Sequence, residues 1–592
     1  ICDRAGISDL ASLPFVTFID KNSFKPQQIK DLTSTAFFVM KEFEEAKATE
    51  TIAVRKRSGN GALTDCDLPQ LKICGSGGFD KNGDYVVTSR PSSPYSNVVC
   101  DRLGGFVSTE NGGGFCYFLN SQSNKLSGWS NDPVSDEPFE RVLASDGSEV
   151  LRLNKLNKGG YVRHGKGFTE YVSKTLSAEY SVRRSLCLKG RAQVIAVRIR
   201  NLTDKTLIRE ISYLVEPCAD SEENRAVVFC EKDGNAVRAY NAKTERGFYL
   251  YADNAELITD GAEALSRGIN GFNPKRSKSP FNDPYCGATV RTELRKHTET
   301  TVFFTLCDGE ETLAEIKGRD LKNETLKGEN AMSDISRLSL ESGDEILDIL
   351  FENLPYQVLS SRVNGKCGFY QAGGAIGFRD QLQDCLALLW SDPERVREHI
   401  LLCAERQYIE GDVMHWWHPP AFGVRTKITD DRLFLPYVVC EYVEHTGDES
   451  ILSEKAYYLA NRPLEDHEEA RLEHGKYSEA RETLLLHLQR AIDSAIVTGE
   501  HGLLLIGGGD WNDALNEIGL RGRGESVWLT QFAVAVIEKF CAYIDDDSAK
   551  RYRKVADKLR RALDKAYIDG RWARAFTDDG EWLGTDKTAA CK

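Results

Sequence analysis

The stretch "VIAVRIRNLTDKTLIREISYLV" (194–215) shows the residue pattern that decides the fold of the first half of this chain. Ile195, Val197 and Ile199 alternate with small or charged residues until a polar turn at 201–205. A period of two places alternate side chains on opposite faces, which predicts a half-buried β-strand that ends at this turn. The run after the turn predicts a second strand of the same kind.

The periodicity divides the 592 residues into four parts. Many short runs with period two, separated by Gly, Asn, Asp and Ser clusters, predict an antiparallel β-sandwich domain over 71–310. Before it, 1–70 is interpreted as an N-terminal extension or the tail of an upstream domain, with a helical run at 32–50. From residue 311 the period becomes 3.6, which predicts a helical linker at 311–345 and a catalytic helical domain at 346–592.

The helical domain contains five long amphipathic segments, at 379–390, 393–407, 431–447, 478–496 and 527–544. The fourth segment has an apolar stripe at helical spacing, formed by Leu484, Leu485, Leu488, Ala491, Ile492 and Ala495. Helices joined by long, aromatic and glycine-rich loops predict an (α/α)6 barrel whose functional residues lie in loops at one end. Because fewer helices are visible than a closed barrel needs, we expect a barrel that is incomplete at its C-terminus, in a fragment of a longer protein.

Composition narrows the classes of function. A net charge of −14 argues against nucleic acid or an anionic membrane as a partner. The chain has no apolar run of ~18 residues that could span a bilayer and no secretory signal at its start. The sixteen cysteines form no CxxC pair or metal-type cluster, so we expect structural thiols in a reducing, cytoplasmic environment.

Four loop segments are candidates for a binding site, at 368–384, 410–431, 507–519 and 522–528. Each segment mixes glycines, aromatic rings and carboxylates. Aromatic faces can pack against sugar rings, while carboxylates and amides can hydrogen-bond to vicinal hydroxyl groups. These loops therefore predict a carbohydrate site.

Each candidate also has a simpler structural interpretation. Asp430 and Asp431 precede a helix, where such residues are N-caps about twice as often as ligands. His415 and His418 have metal-like spacing but no third ligand, so we expect orienting or packing roles and no metal. The triple glycine at 507–509 lacks the Lys of a phosphate-binding P-loop, which argues against nucleotide binding.

Asp510 and Asp513, in "GGGDWNDALNEIG" (507–519), leave capping and catalysis equally open until longer segments are compared. The segments are "NGGGFCYFLNSQSNKLSGWSNDPVSD" (111–136), "YQAGGAIGFRDQLQD" (370–384), "EGDVMHWWHP" (410–419), "GVRTKITDDRLFLPY" (423–437) and "GGGDWNDALNEIGLRGRGESVWL" (507–529). In this order the five segments resemble glycoside hydrolase family 94, a family of inverting glycoside phosphorylases. Their variants are most similar to the branch with 1,2-β-oligoglucan phosphorylases, cellobionic acid phosphorylases and the C-terminal domain of cyclic β-1,2-glucan synthases.

The resemblance implies a β-sandwich, a helical linker, an (α/α)6 barrel and a small C-terminal β-domain. It also implies that Asp513 is the general acid, that Trp511 lines the donor-sugar subsite and that Asp380 binds hydroxyl groups of the same sugar. Inorganic phosphate then acts as co-substrate and attacks the anomeric carbon from the opposite face, without any cofactor. Other residues of the matched segments are expected to contact substrate: Arg379, Trp416, Trp417, His418, Arg425, Asp431 and Glu525.

The proposed acid must be protonated near neutral pH, which requires a raised pKa. We expect burial of Asp513 beside Trp511 and neighbouring acids to raise it. Because phosphate is already anionic, a phosphorylase needs no second carboxylate as base, whereas an inverting hydrolase needs one about 6.5–9.5 Å away. A hydrolase on the same barrel therefore remains an alternative.

The chain departs from the family pattern in two places, and the resemblance allows more than one substrate. Gly374 replaces an Arg of the cellobiose and chitobiose branches, and the family's phosphate ligands are expected beyond Lys592. We favour β-1,2-oligoglucans as substrate; the alternatives are cellobionic acid, with Arg425 and Lys427 as acceptor cations, and a glucan-length-controlling synthase domain. The family also implies a homodimer in which a sandwich loop near 124–129 completes the neighbour's acceptor site.

Overall fold

The structure, a computed structural model, describes most of the chain after residue 62. The described residues are 63–128, 138–221, 227–261, 264, 284–334, 339–367, 373–586 and 588. The helical run predicted at 32–50 lies outside them.

The first part of the described chain consists of strands. They are β1 (Leu63–Thr64), β2 (Lys72–Cys74), β3 (Gly77–Phe79), β4 (Tyr85–Val87), β5 (Ser96–Asp101), β6 (Gly104–Thr109), β7 (Gly114–Phe118), β8 (Lys125–Ser127), β9 (Glu140–Ser145), β10 (Val150–Arg152), β11 (Tyr161–Gly165), β12 (Phe168–Thr175), β13 (Ala178–Cys187), β14 (Ala192–Asn201), β15 (Leu207–Val215), β16 (Pro217–Asp220), β17 (Val228–Asp233), β18 (Ala236–Asn241), β19 (Gly247–Tyr251), β20 (Glu256–Asp260), β21 (Pro284–Leu294) and β22 (Glu299–Cys307). Within the described ranges they form one twelve-stranded sheet and two five-stranded sheets, and every pairing is antiparallel.

The stretch 194–215 links two of these sheets. Strand β14 pairs with β13 and β22 in the large sheet, whereas β15 pairs with β9 and β21 in a smaller one. The apolar residues Val197, Ile199, Ile211 and Tyr213 from both strands meet in one buried cluster. The polar turn therefore carries the chain from one layer of the sandwich to the other, and the period-two pattern fills the core between the layers.

Helices follow the last long strand. They are α1 (Glu310–Lys317), α2 (Leu321–Ser333), α3 (Glu345–Gln357), α4 (Phe378–Leu386), α5 (Pro393–Ala404), α6 (Asp431–Thr446), α7 (Leu484–Ala495), α8 (Val527–Phe540) and α9 (Asp546–Lys565). Among the described residues, α4 to α9 share one large apolar core. The structure confirms the predicted fold class, a strand-rich sandwich followed by a helical linker and a helical barrel-type domain.

Short strands connect the barrel helices. They are β23 (Ile376–Gly377), β24 (Met414–His418), β25 (Phe422–Thr426), β26 (Lys455–Leu459), β27 (Ala470–His474), β28 (Tyr477–Thr483), β29 (Leu504–Leu505), β30 (Glu525–Ser526), β31 (Tyr567–Ile568), β32 (Arg571–Trp572), β33 (Ala575–Phe576) and β34 (Trp582–Leu583). One sheet has the order β23–β24–β25–β27 and carries part of the candidate site.

The helix predicted over 478–496 is wrong in its first part. Residues Tyr477–Thr483 form β28, which pairs with β26, and helix α7 begins only at Leu484. Local helix propensity is weak enough for tertiary pairing to override it. The predicted apolar stripe after Leu484 is confirmed, because Leu484, Leu488, Ala491 and Ile492 are buried.

Two further observations concern membranes and thiols. Within the described ranges, no helix is both long and apolar enough to cross a bilayer. Fourteen cysteines of the same ranges are free thiols, and most of them are buried.

Candidate functional site

A cavity of about 820 Å³ opens at the end of the barrel that faces the sandwich. Its walls come from helix α4, strand β24, the loop at 511–514 and a loop between β7 and β8 of the sandwich. The lining side chains that carry the argument below are Gln122, Arg362, Arg379, Asp380, Asp384, His415, Trp416, His418, Trp511 and Asp513. The structure therefore brings together residues from four segments that are far apart in sequence.

Helix α4 forms one wall of the cavity. Strand β23 leads into the helix, whose first residue, Phe378, is buried in the barrel core and fixes its start. Arg379, Asp380 and Asp384 then face the cavity from the first two turns. Positions three to four residues apart share one helix face, so Asp380 and Asp384 lie one turn apart.

Arg379 is the centre of a buried charge network. Its Nη1 atom donates to both carboxylate oxygens of Asp430, at 2.8 and 3.0 Å, and to the backbone carbonyl of Asp510 at 2.9 Å. Its Nη2 atom donates to Asp513. Asp430 makes no N-cap hydrogen bond, so the capping role expected for this residue is wrong: its carboxylate binds Arg379 instead.

Asp431 binds a second cation. Its Oδ2 atom lies 2.7 Å from His415 Nδ1, and His415 Nε2 lies 3.9 Å from Asp513 Oδ2. Burial alone would lower the pKa of His415, but the Asp431 carboxylate overcomes this and raises it to about 9. His415 is therefore an imidazolium at neutral pH, held beside Asp513. Asp431 is 1 % exposed and does not itself line the cavity; it supports the site through His415 and through Arg379, whose Nε lies 3.7 Å from Asp431 Oδ1.

Asp513 is more open than expected. It begins a short 3₁₀ helix (Asp513–Ile518), whose N-cap is Asn512. Its side chain is 56 % exposed, and Trp511 beside it is 52 % exposed. The expected burial of Asp513 beside Trp511 is therefore wrong for the ligand-free site, because both side chains project into the open cavity.

Asp510, the other acid of this loop, has a structural position. It is fully buried, and it accepts hydrogen bonds from Ser526 Oγ and Arg574 Nη2, both at 2.6 Å. These bonds tie the glycine-rich loop to the start of α8. The ambiguity between the two acids is resolved by geometry, since Asp513 faces the cavity and Asp510 anchors the loop.

Three residues that were expected to contact substrate lie elsewhere. Trp417 is fully buried in the barrel core, where it packs against Phe378. Arg425 is 1 % exposed and is paired with Asp412 at 2.6 Å, so it is a structural cation rather than an acceptor ligand. Glu525 is fully buried and accepts from the Leu503 backbone at 3.1 Å and from His501. None of these three side chains lines the cavity.

Trp416 and His418 remain at the cavity wall. They lie on β24, where a register irregularity between Met414 and Trp416 lets His415, Trp416 and His418 all reach the cavity. Burial lowers the pKa of His418, and its neutral ring accepts from Asn120 Nδ2 at 3.2 Å. This contact joins the barrel to the sandwich.

The sequence prediction missed Asp384, Arg362 and Gln122. Arg362 Nε lies 2.9 Å from Asp384 Oδ2. Burial raises the pKa of Asp384 to about 6, although Arg362 opposes this, and burial also raises the pKa of Asp380. The spacing of Asp384, four residues after Asp380, was a usable signal for the first residue. Gln122 lies in the matched segment 111–136 of the sandwich, whereas no pattern in the sequence pointed to Arg362.

The structure leaves no room for a side chain at Gly374. Its φ is +72°, and a Cβ at this position would lie 2.8 Å from both Asn120 Oδ1 and Ser121 Oγ. Asn120 Nδ2 also donates to the Gly374 carbonyl at 3.2 Å. The sandwich loop therefore fills the space that a side chain at 374 would need.

Among the residues that the structure describes, no group of three or more His, Cys, Asp or Glu side chains is placed to hold a metal ion. Two of the acids at the cavity, Asp384 and Asp513, are paired with arginine instead.

The chain matches two family models and is similar to several known proteins. Residues 332–592 match the catalytic domain of the Glycosyl hydrolase 94 superfamily, and residues 83–317 match its supersandwich domain. Cyclic beta-(1,2)-glucan synthase NdvB of Rhizobium meliloti (strain 1021) is 28 % identical, over 99 % of this chain and 22 % of its own length.

Two phosphorylases of Paenibacillus borealis are also similar. The 3-O-beta-D-glucopyranosyl-beta-D-glucuronide phosphorylase is 32 % identical over 35 % of this chain and 26 % of its own length. Solabiose phosphorylase is 28 % identical over 50 % of this chain and 38 % of its own length. The chain thus spans only 22 to 38 % of the length of these curated relatives.

Proposed function

Because this chain belongs to the glycosyl hydrolase 94 superfamily, we propose that it is an inverting glycoside phosphorylase, which cleaves a β-glucosidic bond with inorganic phosphate and releases α-glucose 1-phosphate. The observation that carries the proposal is the position of Asp513, whose carboxyl group faces an 820 Å³ cavity and is held there by Arg379. A cavity of this size lies in the range of roughly 300–1,000 Å³ that is usual for small-molecule sites.

The chemistry follows from one acid and one anionic nucleophile. Protonated Asp513 donates its proton to the glycosidic oxygen as the bond to the anomeric carbon breaks. A phosphate oxygen bonds to that carbon from the opposite face, which inverts its configuration. A sugar in the cavity would cover Asp513 and Trp511 and exclude bulk water from the reacting atoms.

We propose β-1,2-oligoglucans as the substrate. The support is the alignment of nearly the whole chain with a protein whose name specifies β-(1,2)-glucan. Arg425, a possible ligand for an acidic acceptor, is buried in an ion pair away from the cavity, which weakens the alternative of cellobionic acid.

The same alignment favours a second candidate, a glucan-length-controlling part of a synthase. Phosphorolysis at the end of a growing glucan would shorten it, so both candidates use the same site and differ in the protein around it.

The test is to incubate the purified protein with β-1,2-gluco-oligosaccharides, with and without inorganic phosphate, and to assay glucose 1-phosphate and free glucose. Glucose 1-phosphate that forms only with phosphate is the expected result. Free glucose without phosphate would show a hydrolase instead. An Asp513→Asn variant that retains full activity would contradict the role of this residue.

A further inference from the structure

Arg362 and Asp384 form an ion pair on the wall of the cavity, and neither residue has a role in the proposed proton transfer. Arg362 Nε lies 2.9 Å from Asp384 Oδ2. The two side chains are 16 % and 19 % exposed, so the pair is largely shielded from bulk solvent and meets the cavity with its remaining surface. Such a pair offers a ligand hydrogen-bond donors from the guanidinium group and acceptors from the carboxylate.

The backbone around Arg362 has an uncommon conformation. Helix α3 continues into a π-helical segment, Val358–Asn364, and the Gly365 amide donates to the Ser360 carbonyl, five residues earlier, at 2.9 Å. A π turn holds more residues than an α turn, so the segment changes the direction in which Arg362 leaves the helix. Helical turns of this kind are rare, and many of them occur at functional sites.

Helix α4 holds Arg362 at two points. Gln381, which is fully buried, donates from Nε2 to the Arg362 backbone carbonyl at 2.8 Å. Asp384, three residues further on the same helix face, binds the guanidinium group. Two contacts from one helix therefore fix both the backbone and the side chain of Arg362, as a group that recognises a ligand requires.

The charges of this wall favour a neutral ligand. Asp384 offsets the positive charge of Arg362, and Asp380, one turn before Asp384, places another acid on the same wall. Hydroxyl groups can accept from the guanidinium group and donate to the carboxylates. A carboxylate at the same place would be repelled by the acids as well as attracted by Arg362, and like charges that lie close together are costly.

We propose that Arg362 and Asp384 are specificity-determining residues, which hydrogen-bond to hydroxyl groups of the sugar unit in the cavity and exclude sugars that carry a carboxylate there. This inference rests on the proposed function and names the residues that select a neutral sugar. Asp384→Asn keeps the shape of the side chain but removes the negative charge that offsets Arg362. The variant should therefore accept an anionic sugar better than the wild type does.

The test is a ligand-observed NMR titration at about pH 8 with methyl β-glucoside and methyl β-glucuronide, which differ in one hydroxymethyl or carboxylate group. Asp384 is ionised at this pH, because burial raises its pKa only to about 6. The wild type should bind the glucoside about tenfold more tightly than the glucuronide. Asp384→Asn should lower this affinity ratio severalfold, whereas Arg362→Gln, which removes the cation, should raise it.

Asp308→Asn is the matched control. Arg191 Nε lies 3.2 Å from Asp308 Oδ2, so the geometry of this pair is similar, but the pair lies outside the cavity. The control variant should leave the affinity ratio unchanged. Urea unfolding of each variant separates a loss of stability from a change in preference, and the better-folded of the two cavity variants decides the question.

Opposite shifts by the two cavity variants are the decisive result, since a purely structural ion pair would weaken the binding of both glycosides alike. A wild-type protein without preference, or variants that shift the ratio in the same direction or not at all, would overturn the inference and leave the proposed function intact. If the wild-type protein bound neither glycoside, the proposed function would fail and the inference with it.

Discussion

At the scale of single residues, the site is defined by how cations surround Asp513. Arg379 Nη1 is held by Asp430 and by the Asp510 carbonyl, so its Nη2 atom is aimed at Asp513. His415 is held by Asp431 on the other side. Such a pair fixes the position of the Asp513 carboxyl group without burying it, and leaves its exposed side free for a substrate.

The first prediction concerns Asp513 itself. Asp513→Asn removes the transferable proton but keeps the shape of the side chain, so phosphorolysis should fall about 10²- to 10⁴-fold. Steady-state release of glucose 1-phosphate measures this loss. Asp579→Asn, a change at an exposed acid (76 %) outside the cavity, is the control and should retain activity. Equal activities of the two variants would contradict the assignment of Asp513 as acid.

The second prediction concerns His415 and pH. Its pKa is raised to about 9 in the folded protein, above the ordinary value of about 6.5 in an unfolded chain. The stabilisation of about 3 kcal/mol is therefore complete below about pH 6.5 and is lost as the pH rises through 9. Asp431→Asn should remove most of this pH dependence. Urea unfolding at pH 6.5, 8 and 9.5 measures it, and identical pH profiles of variant and wild type would refute it.

The resemblance to the family led us to expect Asp513, Asp380, Trp511 and Trp416 at one site, because they lie in the matched segments. It did not separate Trp416 from Trp417, since the irregular register of β24 decides which side chain faces the core. The sequence also did not predict the ionic partners of Arg379. The residues around Arg379 come from segments about 50 and 130 positions away, and only the fold brings them together.

At the scale of elements, sequence periodicity predicted those strands and helices that bury one face. Strands β14 and β15 and helix α7 follow their apolar patterns closely. Periodicity did not predict strand β28, because Tyr477–Thr483 is mostly exposed and is held by pairing with β26. A segment that buries little apolar area carries no periodic signal of its own.

The third prediction concerns the loop at Gly374. Gly374→Ala combines an unfavourable φ of +72° with a close approach to the sandwich loop at Asn120 and Ser121. It should displace that loop and weaken glucan binding about tenfold, as measured by calorimetry. Gly447→Ala has the same φ of 72° with nothing within 4 Å of the new Cβ, so it isolates backbone strain of about 1 kcal/mol. Equal binding by both variants would show that the contact with the sandwich loop is unimportant.

At the scale of the whole molecule, the site belongs to both parts of the fold. Gln122 lines the cavity from the sandwich, and Asn120 bonds to His418 and Gly374 of the barrel. Sequence periodicity described the two parts separately and contained no information about this contact. A change in the sandwich should therefore alter substrate binding in the barrel.

The last prediction tests whether the two parts are coupled in stability. The hydroxyl group of Tyr356 on α3 donates to the Val98 carbonyl and accepts from the Gly167 amide, both at 3.1 Å. Tyr356 is 1 % exposed, so Tyr356→Phe leaves the buried Gly167 amide and the half-buried Val98 carbonyl of the sandwich without this partner, at a cost of about 1–3 kcal/mol. Unfolding midpoints in urea should fall accordingly.

Two signals separate a coupled loss from a local one. Seven of the eight tryptophans lie after residue 389, so tryptophan fluorescence reports on the helical part, whereas far-UV circular dichroism reports on strands as well. If the interface couples the two parts, Tyr356→Phe lowers both midpoints together. A shift in circular dichroism alone would show that the sandwich unfolds independently. Tyr567→Phe, which removes an exposed hydroxyl group that bonds only to Gly570 in its own turn, should shift neither signal, because water replaces the lost partner.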